Sequence, residues 1–415
     1  MHQLLVETFK TKETQIEQFI TEKLKEASPP FYSSVDVRNA GYKIAAVDTN
    51  IFPGGFNNLC EDYLFNTSRE IKRYIQQNHP QVKTIFLLTE NHSRNLYYFL
   101  NVFNLLKAIE QAGYEVYACA TRDDITENFV EITDAQDNKF PLHKLHKKSS
   151  QIFINAHAKQ NLTADLLILN NDLSEGIPIE IQTVETPIIP STKLGWHRRL
   201  KSNHFHKYAE TTNEFAQLLG LDPWLFQAHF DSAANINLDN KQNLELLAEK
   251  SFQILEKTKE NYKKYEIKDK PYLFVKNDSG TYGMGVLAVF DPKEILQMNR
   301  KTKNKLRSGK GGLESHSFIL QEGVKSVDRI NSQVAESVVY LIAGKPIGGF
   351  FRANDRMDEF GNLNSKGMHF SKLCFNDLKN YQNTYCADCD LKILAKAYNL
   401  IGTLATIAAA RETKN

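Results

Sequence analysis

Short apolar runs and longer stretches with helical spacing alternate along the first half of the chain. Between Thr11 and Lys25, residues Ile16, Phe19, Ile20 and Leu24 fall on one face, which predicts a surface helix that Ser28-Pro29-Pro30 ends. Tyr42 to Val47, Thr84 to Leu88 and Glu115 to Ala120 read as strands, with helical patterns over Asn58 to Gln77 and Asn95 to Ala112 between them. That succession predicts a parallel sheet with covering helices. Asp165 to Asn170 adds a fourth strand. The intervening Asp123 to Gln160 is polar and reads as irregular, with His143 and His146 in a solvated surface.

The predicted strands end in polar clusters: Asp48 with Asn50; Glu90, Asn91 and Arg94; and Asn170, Asn171, Asp172 and Ser174. In a parallel sheet such ends share one edge, where ligands bind. The loop Ile51 to Asn58 mixes aromatics with glycines and reads equally as a ligand loop or a packed turn. Gly195 to Phe205 packs His197, Arg198, Arg199 and Lys201 into one turn, a density that suits an anion, with a solvated basic turn as the alternative.

From Tyr272 onward the pattern changes to hairpins, which predicts an antiparallel α+β region. An apolar run ends in Lys276, a loop with Ser279, Gly280, Tyr282, Gly283, Met284 and Gly285 follows, and a second strand starts at Val286. Glycines admit close approach of backbone N–H groups to phosphate oxygens, and Lys276 stands where its ammonium can join them. The loop matches neither GxxxxGK[ST] nor GxGxxG, and a hairpin with a snorkelling lysine is the alternative reading. Arg300 to Gly312 reads as a basic linker. Phe318 to Val324 is a strand that ends in Gln321-Glu322-Gly323-Val324. A hairpin ending in Arg352, a polar loop from Asn362 to Gly367 and a final helix over Asp388 to Arg411 complete the chain.

Composition narrows the classes. With 415 residues the chain has room for two or three domains, and 41% hydrophobic with 24% charged residues is ordinary globular usage. A net charge of +2 gives no broad basicity, so nucleic acid is not an expected partner. No apolar stretch long enough for a membrane span or a secretory signal stands out. The cysteines Cys60, Cys119, Cys374, Cys386 and Cys389 are scattered; the lone CxxC at Cys386 to Cys389 lacks a second pair for zinc and reads as reduced thiols, which points to the cytoplasm.

In order, the second half offers a lysine strand, a glycine loop, a strand ending in Gln-Glu, a strand ending in Arg and an Asn loop. This series resembles the ATP-grasp ligases. The segments AAVDTNIFPGGFNNLC, LILNNDLSEGIPIEI, GWHRRLKSNHF, VKNDSGTYGMGV, QEGV and NLNSKGMHF resemble the proteobacterial glutamate–cysteine ligases of the ATP-grasp-related type, from about Ala45 to Phe370. The resemblance implies an N-terminal parallel-sheet α/β region, residues 1–200, on the substrate side. An ATP-grasp-like α+β region with antiparallel strands, residues 201–415, would bind the nucleotide.

The implied reaction joins L-glutamate, through its γ-carboxylate and an acyl phosphate, to L-cysteine with ATP and Mg2+. This is the first step of glutathione synthesis. Lys276, Ser279, Gly280, Tyr282, Gly283, Met284, Gly285, Gln321, Glu322, Gly323 and Val324 are the expected ATP contacts, and Lys276, Arg352 and Asn364 the expected catalytic groups. Asp48, Asn50, Glu90, Arg94, Asn171, Arg198 and Arg199 are the expected amino-acid contacts. Many ATP-grasp enzymes bind magnesium on a late Glu-x-Asn strand, which is missing after Phe370 here. Glu336, Asn362 and Asn364 are therefore the expected metal ligands. Another ATP-dependent carboxylate–amine ligase and a nucleotide-binding regulator without turnover are the alternatives. Oligomeric state is not legible in the sequence.

Overall fold

In the strand Tyr32–Asn39, the segment Val35-Asp36-Val37-Arg38 alternates apolar and charged residues. Val35 and Val37 point into a core with the final helix, while Asp36 and Arg38 point the other way. The polar half of that alternation conceals the strand in the sequence. A turn at Ala40 to Lys43 leads into Ile44–Asn50, with Asp36 paired opposite Asp48. The computed structural model describes residues 2–91, 94–156, 159–279, 285–309, 314–372, 381–383 and 391–413.

This hairpin does not join the parallel sheet, as the sequence pattern suggests for Tyr42 to Val47. It pairs antiparallel with Gln333–Ile342, in a seven-stranded sheet whose main order is Met368–Lys372, Lys345–Asn354, Gln333–Ile342, Tyr32–Asn39, Ile44–Asn50. A turn of four residues allows only a hairpin here, since a parallel partner needs a crossover. A four-stranded antiparallel sheet runs Phe230–Ala233, Phe318–Glu322, Leu273–Asn277, Val286–Val289. The two antiparallel sheets give the second half its expected antiparallel α+β character.

The parallel sheet is present, built on Leu166–Leu169, Thr84–Leu88 and Glu115–Ala120. All four residues of Leu166–Leu169 are buried, as an apolar run covered on both faces should be. The segment expected to be irregular instead supplies Phe129–Thr133 and Lys139–Lys144 at this sheet's edge, and a three-stranded sheet from His146 to Thr163. Edge strands carry many polar residues, so their periodicity is weak. His143 is buried, not solvated, and packs edge-on to Tyr117. The expected basic linker begins as the helix Arg300–Arg307, capped by Asn299.

The final helix Leu391–Arg411 is long and apolar enough to cross a membrane by composition, yet it lies buried against the seven-stranded sheet and the helix Lys201–Leu219. The Ile51 to Asn58 loop is a packed turn. The backbone N–H groups of Gly55 and Phe56 both donate to Asn101 Oδ1, and Tyr340 Oη donates to the Gly54 carbonyl. Cys119 is a buried free thiol, whereas Cys60 is disulfide-bonded, which the cysteine spacing does not signal. Cys374, Cys386 and Cys389 lie outside the described residues.

The two antiparallel sheets are pinned by a buried ion pair. Lys43 Nζ, from the hairpin turn, meets Glu322 Oε1 at 2.9 Å, with both side chains fully buried. The Trp224 ring lies 4.0 Å from Lys43 Nζ, and Trp224 Nε1 and the His229 N–H donate to Glu322. Lys43→Met would leave that carboxylate buried with neutral donors only. The expected loss of unfolding free energy is about 3–5 kcal/mol, measured by urea denaturation. A loss below about 1 kcal/mol, the range of an exposed pair, would contradict the buried clamp.

Candidate active site

A cleft opens between the two antiparallel sheets. It holds about 630 Å3 of unfilled space, part of it continuous with solvent. One wall is the polar face of the seven-stranded sheet, with Asp36, Arg38, Asp48 and Glu336; the other carries Phe274, Lys276 and Gln321. Lys201, Asn362 and Asn364 close its margins.

Register explains each placement. Phe274 and Gln321 are Cα partners, and Lys276 lies two residues further along the same face. Lys276 Nζ donates to Gln321 Oε1 at 2.7 Å and to the Val47 carbonyl at 3.1 Å, so it bridges the sheets. Burial lowers its pKa to about 8; Asp48 opposes the shift, and Lys201 and Arg38 add to it. The Gln321 Nε2 amide is buried without a protein partner. Behind it, Gly323 packs so tightly that a Cβ would come within 2.3 Å of the Tyr272 ring. Glu322 serves the site only through its backbone, because its carboxylate belongs to Lys43. The Val324 carbonyl accepts from Arg38 Nη1.

On the opposite wall four charges form a chain. Arg38 Nε donates to Glu336 Oε2 at 2.7 Å, Arg352 Nη1 to Glu336 Oε1 at 2.7 Å, and the same nitrogen to Asp36 Oδ2 at 2.6 Å. Burial works against the Glu336 carboxylate, but its two guanidiniums hold it below the usual range. Burial raises the Asp36 pKa against Arg352, with Glu336 adding to the rise. Arg352 thus lies beneath the lining rather than in it, and Glu336 has both oxygens engaged.

Asp48 belongs to a third group. Lys201 Nζ sits 2.5 Å from its Oδ1. Burial pushes the Asp48 pKa up, but Lys201, Lys276 and Arg199 outweigh it and hold it at about 2. Lys201 begins a helix whose N-terminus is tied to the lysine strand: Ser202 donates to Asp278 through its N–H and its Oγ, each at 2.7 Å.

Of the expected ATP contacts, Lys276, Gln321, Glu322 and Val324 line the cleft, and Ser279, Gly285 and Gly323 lie next to lining residues. Gly285 has φ +63°, and a Cβ there would meet the Leu306 carbonyl at 2.7 Å. Gly280, Tyr282, Gly283 and Met284 lie outside the described residues.

Of the expected amino-acid contacts, Asp48 alone lines the cleft, with Asn50 two residues away. Glu90 accepts from the Asp172 N–H, and Asn171 bonds the Thr89 carbonyl and the Leu173 N–H. Arg94 and Arg198 are exposed, and Arg199 is buried against Glu412. The basic turn reaches the cleft through Lys201 instead. Sequence reasoning missed Asp36 and Arg38, although Val35-Asp36-Val37-Arg38 before Ala40-Gly41 and a second apolar run is a hairpin signal.

Lys276 makes the ligand-free fold pH-sensitive. Its native pKa of about 8 lies below its model-compound 10.5, so above pH 8 the native state releases this proton before the unfolded state does. Stability from this group therefore rises with pH between those values and is lowest below pH 8. Urea unfolding of wild type and Lys276→Met across pH 7.5 to 10.5 is expected to show the difference moving in favour of wild type. A pH-independent difference would contradict the perturbed lysine.

The glutamate-cysteine ligase family (GshA) matches the chain over residues 7–413. A crystal structure assigned as a gamma-glutamylcysteine synthetase from Methylobacillus flagellatus superposes with a TM-score of 0.88 at 34% identity, covering 98% of this chain and 95% of that one. The D-alanyl-alanine synthetase A of Vibrio cholerae aligns at 11% identity over 77% of this chain and 80% of its own, with a TM-score of 0.35 that carries no argument. No curated protein matches the chain. With the family covering nearly its whole length and a relative of the same fold at this identity, the chain belongs to the glutamate-cysteine ligase family.

Proposed function

We propose that this ligase works in the cleft between its two antiparallel sheets, with ATP held against the Lys276–Gln321 wall and the reacting groups facing the Asp36–Asp48 wall. The family implies ATP and typically a divalent cation, taken here as Mg2+, with L-glutamate and L-cysteine as the small-molecule substrates. The observation that carries the reading is the half-buried Lys276 ammonium, aimed across the cleft next to a buried Gln321 amide with no protein acceptor. A cation and a donor held in a partly enclosed cleft suit phosphate and base edges.

The residues present fit a hard cation. The late Glu-x-Asn strand that the resemblance leaves missing has a counterpart at the other end of the chain. Asp48-Thr49-Asn50 ends an edge strand of the seven-stranded sheet, with Asp36 opposite Asp48. Asp36, Asp48 and Asn50, with Asn362 and Asn364 at the margin, would hold Mg2+. Oxygen donors and few carboxylates are what this ion takes beside phosphates. Glu336, expected as a ligand, also lines the cleft but has its two oxygens on Arg38 and Arg352, as Asp36 has both of its oxygens on Arg352, so either carboxylate would reach the ion only by yielding a guanidinium contact. Bound Mg2+ supplies charge neutralisation at the phosphates.

Lys276 and Lys201 would then steady phosphoryl oxygens, and Arg352 would stabilise charge indirectly by fixing Asp36. No protein nucleophile is needed, since the glutamate γ-carboxylate attacks the γ-phosphate and the cysteine amine displaces phosphate from the acyl phosphate. Positioning and water exclusion are the protein's part. Arg94 and Arg198, at the edge of the parallel sheet, are the guanidiniums left for glutamate carboxylates. We keep the division near residue 200 between substrate and nucleotide sides, with the hairpin of residues 32–50 joined to the nucleotide side, and place the enzyme in the cytoplasm.

The test is ADP formation dependent on both glutamate and cysteine. Lys276→Ala is expected to cut kcat/KM for ATP at least ~10-fold, the scale of one charge-assisted contact. Asp48→Asn is expected to raise the Mg2+ concentration needed for half-maximal rate. Wild-type ATP kinetics in Lys276→Ala would remove the nucleotide from this wall, and an unchanged Mg2+ requirement in both Asp48→Asn and Asp36→Asn would move the metal elsewhere.

A further inference from the structure

Glu412 lies just past the final helix, with its side chain 3% exposed. Its Oε2 accepts from Arg199 Nε at 2.9 Å, and its Oε1 accepts from Arg199 Nη2 at 2.9 Å and lies 2.7 Å from His204 Nδ1. Two parallel bonds of this kind fix a guanidinium in its plane as well as its charge. The Trp196 ring stands 4.9 Å from the same guanidinium. The remaining arm, Arg199 Nη1, donates to the Thr49 carbonyl at 2.7 Å.

That carbonyl is the point of interest. Ile44–Asn50 is an edge strand of its sheet, so its outward backbone groups need donors from elsewhere. The Thr49 carbonyl belongs to the peptide between Thr49 and Asn50, directly after Asp48. Whatever fixes it also fixes how Asp48 presents its carboxylate to the cleft and where Asn50, two residues on, stands.

We infer that Glu412 is a positioning residue for the Asp48–Asn50 strand end, acting through Arg199 on the Thr49 carbonyl, and so sets the affinity of the cleft for its divalent cation. This rests on the reading of that strand end as the metal-binding edge. Without Glu412 the buried Arg199 guanidinium loses its bidentate partner, keeps only the more distant charge of Asp48, and has nothing to fix its plane. Partners one layer behind a metal ligand typically change metal affinity 10–100-fold. Each Arg199 nitrogen is engaged within the protein and the side chain is buried, which separates this role from a substrate clamp.

The experiment uses the full-length protein with ADP bound and Mn2+ as the probe, free Mn2+ being read by electron paramagnetic resonance without turnover. Glu412→Gln is expected to weaken Mn2+ binding at least ~10-fold and to leave the glutamate KM near wild type. The pair Arg199→Met with Glu412→Leu removes both charges, so it is expected to melt closer to wild type than Arg199→Met alone, yet to bind Mn2+ as weakly as Glu412→Gln. Arg411→Ala, which breaks the neighbouring Arg411–Glu214 pair at 2.8 Å, serves as a control for loosening the helix end and is expected to leave Mn2+ affinity unchanged.

Wild-type Mn2+ affinity in folded Glu412→Gln or in the charge-free pair would overturn the inference, as would an equal loss in Arg411→Ala. A rise in glutamate KM without a Mn2+ effect would restore Arg199 as a substrate contact. If Asp48→Asn also leaves Mn2+ affinity untouched, the reading of the metal edge fails first.

Discussion

The charges Arg38, Glu336, Arg352 and Asp36 constrain the rest of the structure. They come from three adjacent strands, two cations and two anions, and all are largely buried. Removing one member would strand a partner in low dielectric, so each strand has to be in register with the next. Arg352 and Glu336 are Cα partners, and Asp36 pairs with Val338 in the same sheet. A slip of one residue in any of the three strands would turn that strand's members away from the cleft and strand their partners. The network therefore does for register what an apolar face does in an ordinary sheet, and it leaves the cleft wall polar and rigid.

That constraint joins sequence-distant parts of the chain. Arg38 is 298 residues from Glu336, and Lys43 is 279 from Glu322. The strand pair that completes the seven-stranded sheet is supplied early in the chain and locked by two buried ion pairs, one to each antiparallel sheet. The parallel sheet is attached differently, through the packed turn at Gly54 to Phe56 against Asn101 and Tyr340. Its polar strand ends bond mainly with one another, which explains why they look like a site in the sequence while lying outside the cleft.

The legible elements are those whose side chains and backbone tell the same story. Leu273–Asn277 with its terminal lysine, Phe318–Glu322 with Gln321, and the Asn362–Asn364 loop stand where their patterns place them. Tyr32–Asn39 was hidden because its polar half faces a cleft rather than water, so alternation reads as low hydrophobicity. Arg199 and Lys201 show a second limit. Two residues apart on one basic turn, they have opposite fates: Arg199 turns inward to Glu412 and Lys201 reaches Asp48. Composition reveals the charge density, but only the partners, 213 and 153 residues away, decide which cation faces the ligand.

Lys276 shows why such a cleft is costly to build. Its two acceptors, a carbonyl and an amide, are neutral, and burial pulls the ammonium toward neutrality near physiological pH. A fold selected for stability alone would place an apolar side chain there. On the reading proposed for this cleft, an anionic ligand would reverse the balance: phosphates would add to the counter-charge that Asp48 supplies, and the same desolvation would strengthen the attraction. The cost of desolvating that ammonium would then be offset on binding, and its fixed place between Gln321 and the Val47 carbonyl means that orientation is settled before a ligand arrives.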